Sequence, residues 1–148
     1  MPRGAPRPIR FDEKVDDRLR SYASARPGLS ASAAANRLVD EGLRMVDHPG
    51  IMFRDGPAGR RAVVVGGPDV WEIVRAVKSA RAHEPDLDGD GVVALVVRNT
   101  GVDERLVRIA IRYWAQYPDE IDAEVERAED AERTAVEASE RARRLLTA

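Results

Sequence analysis

Apolar residues in the first 46 positions follow two different periods. Ile9 and Phe11 alternate with Arg10, which predicts a short strand over residues 7–11, and Asp12 is placed to cap a helix that follows. Helical spacing then recurs in two stretches, separated by the Pro/Gly-containing break "ARPGLS". The apolar positions of these two helices are Val15, Leu19 and Tyr22, then Ala34, Leu38, Val39 and Leu43.

The predicted strand has no partner nearby in the sequence. A lone strand leaves its backbone N–H and C=O groups unpaired, and the residues after Asp12 already have helical spacing. Both helices also carry an apolar face wider than one small partner covers, so a module of about 46 residues buries too little core alone. We therefore expect the strand to pair with a second copy of itself.

The remaining chain predicts a second, larger unit. Ile51–Arg54 and Arg61–Val65 have strand character around a turn at residues 55–60, and a helix follows from Gly67–Asp69 to about Ala80. After an acidic loop, helices are predicted at 91–99 and 103–116, and one long helix after Pro118. The predicted fold is mainly α with short β elements (α+β). Its predicted domains are residues 1–46, 47–118 and 119–148.

Composition and charge narrow the function classes. The absence of Cys excludes disulfides, zinc thiolate sites and thiol nucleophiles. No apolar run is long enough to span a membrane, and no signal-peptide core is visible, so we expect a cytoplasmic protein without a membrane partner. Residues 1–46 hold nine basic against six acidic residues, whereas residues 100–148 hold eight against twelve. This asymmetry predicts different partners for the two ends.

The stretches "IRFDEKVDDRLRSYA" and "GLSASAAANRLVDEGLRM" resemble the ribbon-helix-helix family of bacterial DNA-binding proteins, the MetJ and Arc class, over residues 7–46. In that family two strands from two chains form an antiparallel ribbon in the DNA major groove. The resemblance implies a homodimer on double-stranded DNA. The residues it assigns are Arg10 and Arg7 at bases, Arg3, Ser30 and Ser32 at phosphates, and Ile9, Phe11, Leu19 and Leu38 in the dimer core.

This assignment has alternatives. The family usually presents two or three polar side chains outward, whereas Pro6 and Pro8 occupy outward positions here, so base readout would rest heavily on Arg10. The strand could instead be the edge of an ordinary sheet, with Arg10 solvated. Ser30 and Ser32 could be plain helix caps.

A second candidate DNA contact lies in "VVALVVRNTGVDERLVRIAIRYW", residues 92–114, which looks like a helix-turn-helix. Its second helix is apolar around most of its circumference. The polar stripe on that helix consists of Arg105, Arg108 and Arg112. Such a stripe can lie on DNA phosphates or base edges, or it can pair with the acidic residues that begin at Asp119 and Glu120.

Residues 47–122 resemble the C-terminal region of certain VapB-type antitoxins of GC-rich bacteria, through "HPGIMFRDGPAGRRAVVVGGPDVW" and "YPDEID". The resemblance implies a repressor that acts as the antitoxin of a toxin-antitoxin pair. It would autoregulate its promoter and neutralise a cognate ribonuclease toxin, and residues 119–148 are the predicted toxin-binding element, dispensable for dimerisation. Two alternatives remain: a stand-alone transcription factor whose second domain reads more DNA or senses a ligand, and a pure assembly module.

Three further motifs indicate no chemistry. "DLDGDG" begins like a calcium loop, but position 12 is Val97 where a bidentate Glu belongs, so a flexible acidic loop is expected. "VVVGGPDVW" lacks both phosphate-loop consensus patterns and predicts a tight turn. His48 and His83 have no neighbouring nucleophile or ligand pattern. We expect no catalytic residues, no metal and no cofactor, and hence no enzyme.

Overall fold

Helices dominate the chain, and one short β-hairpin lies between the second and third of them. A computed structural model describes residues 4–147. Its elements, in order, are α1 Glu13–Ser24, α2 Ala31–Asp47, β1 Ile51–Gly56, β2 Gly59–Val64, α3 Val70–His83, α4 Gly89–Thr100, α5 Glu104–Gln116 and α6 Pro118–Thr147. The predicted class, mainly α with short β elements, is confirmed. The chain divides into two compact units, Met1–Leu43 and Arg44–Ala148, with the boundary inside α2.

The first unit contains α1 and most of α2. Its N-terminal segment, residues 4–12, has no regular secondary structure in the single chain, so the ribbon strand at 7–11 stays a prediction. Helix α1 begins after Asp12, as predicted, although the Asp12 side chain makes no cap hydrogen bond. Helix α2 begins after Ser30, whose Oγ accepts a hydrogen bond from the Ala33 N–H at 3.1 Å. The core of this unit is small: its buried apolar residues are Leu19, Ala23 and Ala34.

The second unit opens with the β-hairpin, whose turn is tighter than the sequence suggested. We predicted a turn over residues 55–60, but Asp55 pairs with Arg60 and Gly56 with Gly59, which leaves a two-residue turn. An Asp55–Arg60 ion pair of 3.6 Å across the strands supports this extended pairing. Gly59 has φ +109°, a backbone conformation that side chains disfavour and that allows the chain to reverse here.

Helices α3 to α6 and the hairpin share one core. The largest fully buried side chains are Val64, Val70, Val96, Val107, Tyr113 and Ile121. Gly101 ends α4 in the left-handed conformation (φ 74°), which allows the close turn into α5. The segment predicted as a flexible acidic loop is shorter than expected. Asp88 caps α4 by accepting the Gly91 N–H at 2.7 Å, so the helix begins within that motif.

Helix α6 changes its environment along its length. Its first turns pack into the second unit, where Ile121 and Val125 are buried. All side chains from Ala131 to Thr147 are exposed. The predicted boundary at residue 118 therefore marks the start of the helix and not the end of the packed core, because the apolar residues just after Pro118 complete that core.

Candidate nucleic-acid interface

The N-terminal arm carries the residues predicted to contact bases. Arg7 and Arg10 are exposed, and neither forms an ion pair with any residue in the range 4–147. Arg3 lies outside the described residues. The charges of Arg7 and Arg10 are therefore available to an anionic partner. The single chain brings no second strand to this arm.

The beginning of α2 carries the predicted phosphate contacts. Ser30 and Ser32 are both exposed, and the Ser30 hydroxyl oxygen is already engaged as the helix cap. Ser30 therefore acts as a helix cap through its Oγ atom, as the alternative interpretation held. Its O–H group is still able to donate a hydrogen bond to a phosphate. The backbone N–H groups of Ala31 and Ser32 precede the first helical hydrogen bond, which the Ala34 N–H donates to Ser30 O. They point out of the helix end, where the helix dipole favours an anion.

The predicted dimer-core residues differ in exposure. Leu19 is buried, and Phe11 and Leu38 are half-buried against it. Ile9 is 66% exposed, although it is apolar. Phe11, Leu19 and Leu38 line an apolar depression of about 450 Å³ on this unit. Three of the four residues therefore share one surface, and nothing within the described chain covers Ile9.

The arginine stripe on α5 is only partly available. Arg108 binds Asp90 and Glu104, each at 2.8 Å, and the hydrogen bonds that its guanidinium donates to these two carboxylates raise its pKa. Arg105 and Arg112 are exposed and have no ion-pair partner in the described part of the chain. The alternative that the stripe pairs with Asp119 and Glu120 is wrong for Arg108. Glu120 instead binds Arg44 at 2.6 Å.

The acidic part of α6 is bound mainly by α3. Arg75 donates two hydrogen bonds of 2.6 Å to Glu132, and Lys78 binds Asp122 at 2.7 Å. The Trp114 indole N–H also donates to Asp122, at 2.8 Å. The hydrogen bond from Lys78 lowers the pKa of Asp122 despite partial burial. These contacts hold the first half of α6 against α3, and Asp122 and Glu132 are therefore already paired within the chain.

Two polar clusters in the second unit were not found from the sequence. Arg44 donates to the Tyr113 hydroxyl at 2.9 Å and lies 4.0 Å above the Tyr117 ring. Burial raises the pKa of Tyr113 to about 12. The buried Asp69 binds both Arg54 and Arg61. No local pattern connects position 44 to position 113, which lies 69 residues later, so the sequence did not indicate the first cluster.

Glu124, on α6, is a partly buried carboxyl group. Its Oε2 atom is buried and accepts no hydrogen bond within residues 4–147. Burial, and secondarily the nearby charge of Glu120, raise the pKa of Glu124 to about 7. Arg127 and Arg61 oppose that shift only partly. This carboxyl group therefore changes charge near neutral pH.

The two histidines have different neighbours. His48 packs edge-on against Tyr113 with ring centroids 5.2 Å apart, and His83 Nδ1 lies 2.8 Å from the Ser79 carbonyl oxygen. Over residues 4–147, no group of three or more His, Asp or Glu side chains is arranged to hold a metal ion. Within the same residues, no helix is long and apolar enough to cross a membrane.

No protein-family model, curated protein or solved structure matches this chain.

Proposed function

We propose that the chain is a homodimeric, sequence-specific DNA-binding repressor that also acts as an antitoxin. The observation that carries this proposal is the incomplete first unit. It combines a small core, an uncovered apolar surface and an arm whose two arginines have no ion-pair partner among residues 4–147.

A second copy is the occupant that best fits the uncovered surface. Val15 is 46% exposed, Val39 52% and Leu43 61%, in addition to Ile9 at 66%. Fully burying such a side chain contributes roughly 1.5–3 kcal/mol, so covering the exposed halves of four contributes on the order of 4 kcal/mol per chain. A symmetric dimer doubles that gain, because the same surface is used on both copies. The first units of the two chains would then complete their cores by packing against each other.

The same arrangement gives the arm its DNA-reading role. If residues 7–11 paired with the same residues of a second chain, their backbone N–H and C=O groups would gain hydrogen-bond partners. Ile9 would then be buried between the two chains. Because side chains alternate between the two faces of a strand, Arg10 lies on the outer face together with Pro6 and Pro8. Both prolines lack a backbone N–H, and both occupy even positions, so the missing groups lie on the same side of the strand. Arg10 is therefore the main base-reading residue, through two hydrogen bonds to a guanine edge. Arg7 shares the parity of Ile9 and Phe11, so it reaches the groove only from the end of the ribbon, where it is the first residue of the strand.

The antitoxin role draws on the exposed end of α6. Its side chains from Ala131 onwards are all exposed, including Val136, Leu145 and Leu146 at 57%, 82% and 86%. Charge does not select a basic partner here, because residues 131–147 contain three acidic and four basic side chains. We assign partner recognition to these apolar side chains, in the manner of a helix that docks into a groove.

The DNA-binding proposal is tested with the purified full chain. Selection from random double-stranded DNA should enrich a two-fold symmetric sequence. Arg10→Ala should lose specific binding while remaining a dimer in sedimentation, because Arg10 is exposed and carries no packing. Arg98→Ala is the matched control, since Arg98 is also exposed and has no ion pair in the described residues. Equal DNA binding by wild type and Arg10→Ala would contradict the assignment.

The toxin-binding proposal needs its own experiment. Co-expression with the neighbouring reading frame should yield a complex that survives purification. Ending the chain after Arg133 should release the partner and leave DNA binding intact. Retention of the partner by that shortened chain would refute the role of the exposed end.

A stand-alone transcription factor is the second candidate. It is supported by Arg105 and Arg112, which remain available on α5. A double Ala variant of these two residues should reduce the salt dependence of DNA binding by about two phosphate contacts if α5 lies on DNA. An unchanged salt dependence would exclude α5 as a DNA contact.

A further inference from the structure

An apolar cavity of about 420 Å³ opens between α3, α4 and α5 in the second unit. Val74 and Val77 on α3, Val92 and Val93 on α4, and Ile111 and Trp114 on α5 form most of its lining. Its volume lies within the ~300–1,000 Å³ range of small-molecule sites. The cavity therefore has the size and lining of a ligand site.

The charged residues at the cavity are both basic. Lys78 and Arg81 line it, and no acidic residue does. The Lys78 charge is balanced by Asp122, which also fixes Trp114 through the indole N–H. Arg81 differs, because its guanidinium donates to the Leu87 and Pro85 carbonyl oxygens. Two carbonyl groups hold the side chain in place without neutralising it, so one positive charge is held beside an apolar cavity.

We infer that this cavity binds a small molecule with a flat apolar body and one anionic group. The body would lie among the valines and against the Trp114 ring, and the anionic group would lie at the Arg81 guanidinium. Apolar enclosure supplies most of the affinity, and the fixed guanidinium selects the sign of the ligand's charge. This inference does not depend on DNA binding or on a toxin, and its test measures ligand binding alone.

Three probes share a naphthalene ring and differ in charge, so they separate the apolar from the charge contribution to affinity. They are 1-naphthoate (anionic), 1-naphthamide (neutral) and 1-naphthylmethylamine (cationic). Binding to the full chain is followed in nitrogen–proton correlation spectra, where the indole N–H of Trp114 reports the cavity. Trp71 does not line this cavity and serves as an internal control. We expect saturable shifts of the Trp114 signal, with naphthoate binding about three- to fivefold more tightly than naphthamide and the amine most weakly.

Variants locate the site. Ala82 is exposed and lines the cavity, so Ala82→Phe should fill it and weaken naphthoate binding at least about tenfold. Gly89→Leu is a second filling variant, because a Cβ at Gly89 meets no atom within 4 Å. Arg81→Gln should remove the preference for the anion while retaining binding of the neutral probe. Arg98→Gln is the matched control and should bind as wild type does.

Several results would overturn the inference. Absence of a saturable shift with naphthoate, up to millimolar concentration, would show that the cavity is not a ligand site. Wild-type affinity in both Ala82→Phe and Gly89→Leu would place the probe elsewhere. Equal binding of the three probes, or an unchanged preference in Arg81→Gln, would refute the role of the arginine.

Discussion

Ile121→Ala tests whether the first half of α6 belongs to the core of the second unit. The Ile121 side chain is fully buried and contacts the cluster that contains Val107 and Tyr113, so its removal leaves a cavity. Truncation of a buried Ile to Ala costs about 2–5 kcal/mol, and we expect the upper half of that range because the site has no solvent access. For a unit of about 100 residues, a loss of about 4 kcal/mol lowers the Tm by roughly 16–32 °C.

The assay is urea unfolding followed by tryptophan fluorescence. Trp71 and Trp114 are the only tryptophans in the sequence, and both lie in the second unit, so the signal reports that unit alone. Val136→Ala is the matched control on the same helix. Val136 is 57% exposed, and its substitution should change the free energy of unfolding by less than about 0.5 kcal/mol.

This reasoning is refuted if the free energy of unfolding of Ile121→Ala lies within about 0.5 kcal/mol of wild type, the range of most surface substitutions. Shortened chains test the same point in the same unfolding assay. Ending the chain after Arg133 should preserve the cooperative transition, whereas ending it after Pro118 should abolish it. We therefore expect the residues just after Pro118 to be needed for folding of the second unit, because Ile121 and Val125 are buried in it. The prediction that residues 119–148 are dispensable concerned dimerisation, and it stays a prediction.

Two further predictions concern polar groups of the second unit. The pKa of Glu124 is raised by burial to about 7 from an ordinary value of 4.5, so the folded state binds this proton more strongly and loses stability as pH rises from 4.5 through 7. Glu124→Gln should thus be about 1–3 kcal/mol more stable than wild type at pH 8 and nearly equal at pH 5, and equal stability at both would contradict it. Arg44→Met leaves the buried Tyr113 hydroxyl without its donor and should cost about 1–2 kcal/mol in urea unfolding. An unchanged midpoint would show that this hydrogen bond contributes nothing.

Local patterns predicted most of the secondary structure. The caps at Ser30 and Asp103 and the turn at Gly101 are short-range features, and each helix start or end they indicate is observed. These signals depend on a few neighbouring residues, so the sequence contains them in full. The hairpin turn was misjudged because Gly59 and the Asp55–Arg60 pair extend the strands beyond the apolar run.

Tertiary relations were less predictable. Residues 119–148 were predicted to bind a partner protein, but two of their acids, Asp122 and Glu132, bind α3, 44 and 57 residues earlier in the chain. Composition cannot distinguish an acid paired at long range from one that is free. The cavity next to Trp114 also escaped sequence reasoning, since its lining residues follow ordinary helical core spacing.

The ribbon is the central element of the proposed function, and single-cysteine cross-linking tests it most directly. The chain contains no Cys, so a variant at position 8, 9, 10 or 11 carries one thiol. In a symmetric antiparallel ribbon, a residue near the two-fold axis opposes its own copy at a Cα separation of about 4.5–5.5 Å, within the range that a disulfide spans. Mild oxidation of the full chain, read on a non-reducing gel, measures this proximity.

We expect efficient disulfide-linked dimers at one or two adjacent positions of the arm and a decline on either side of them. Arg98→Cys, an exposed position outside the first unit, gives the background from random collision. A maximum within residues 8–11 supports the paired strand and fixes its register. Cross-linking at all four positions no greater than that of Arg98→Cys would contradict the ribbon and, with it, the proposed mode of DNA binding.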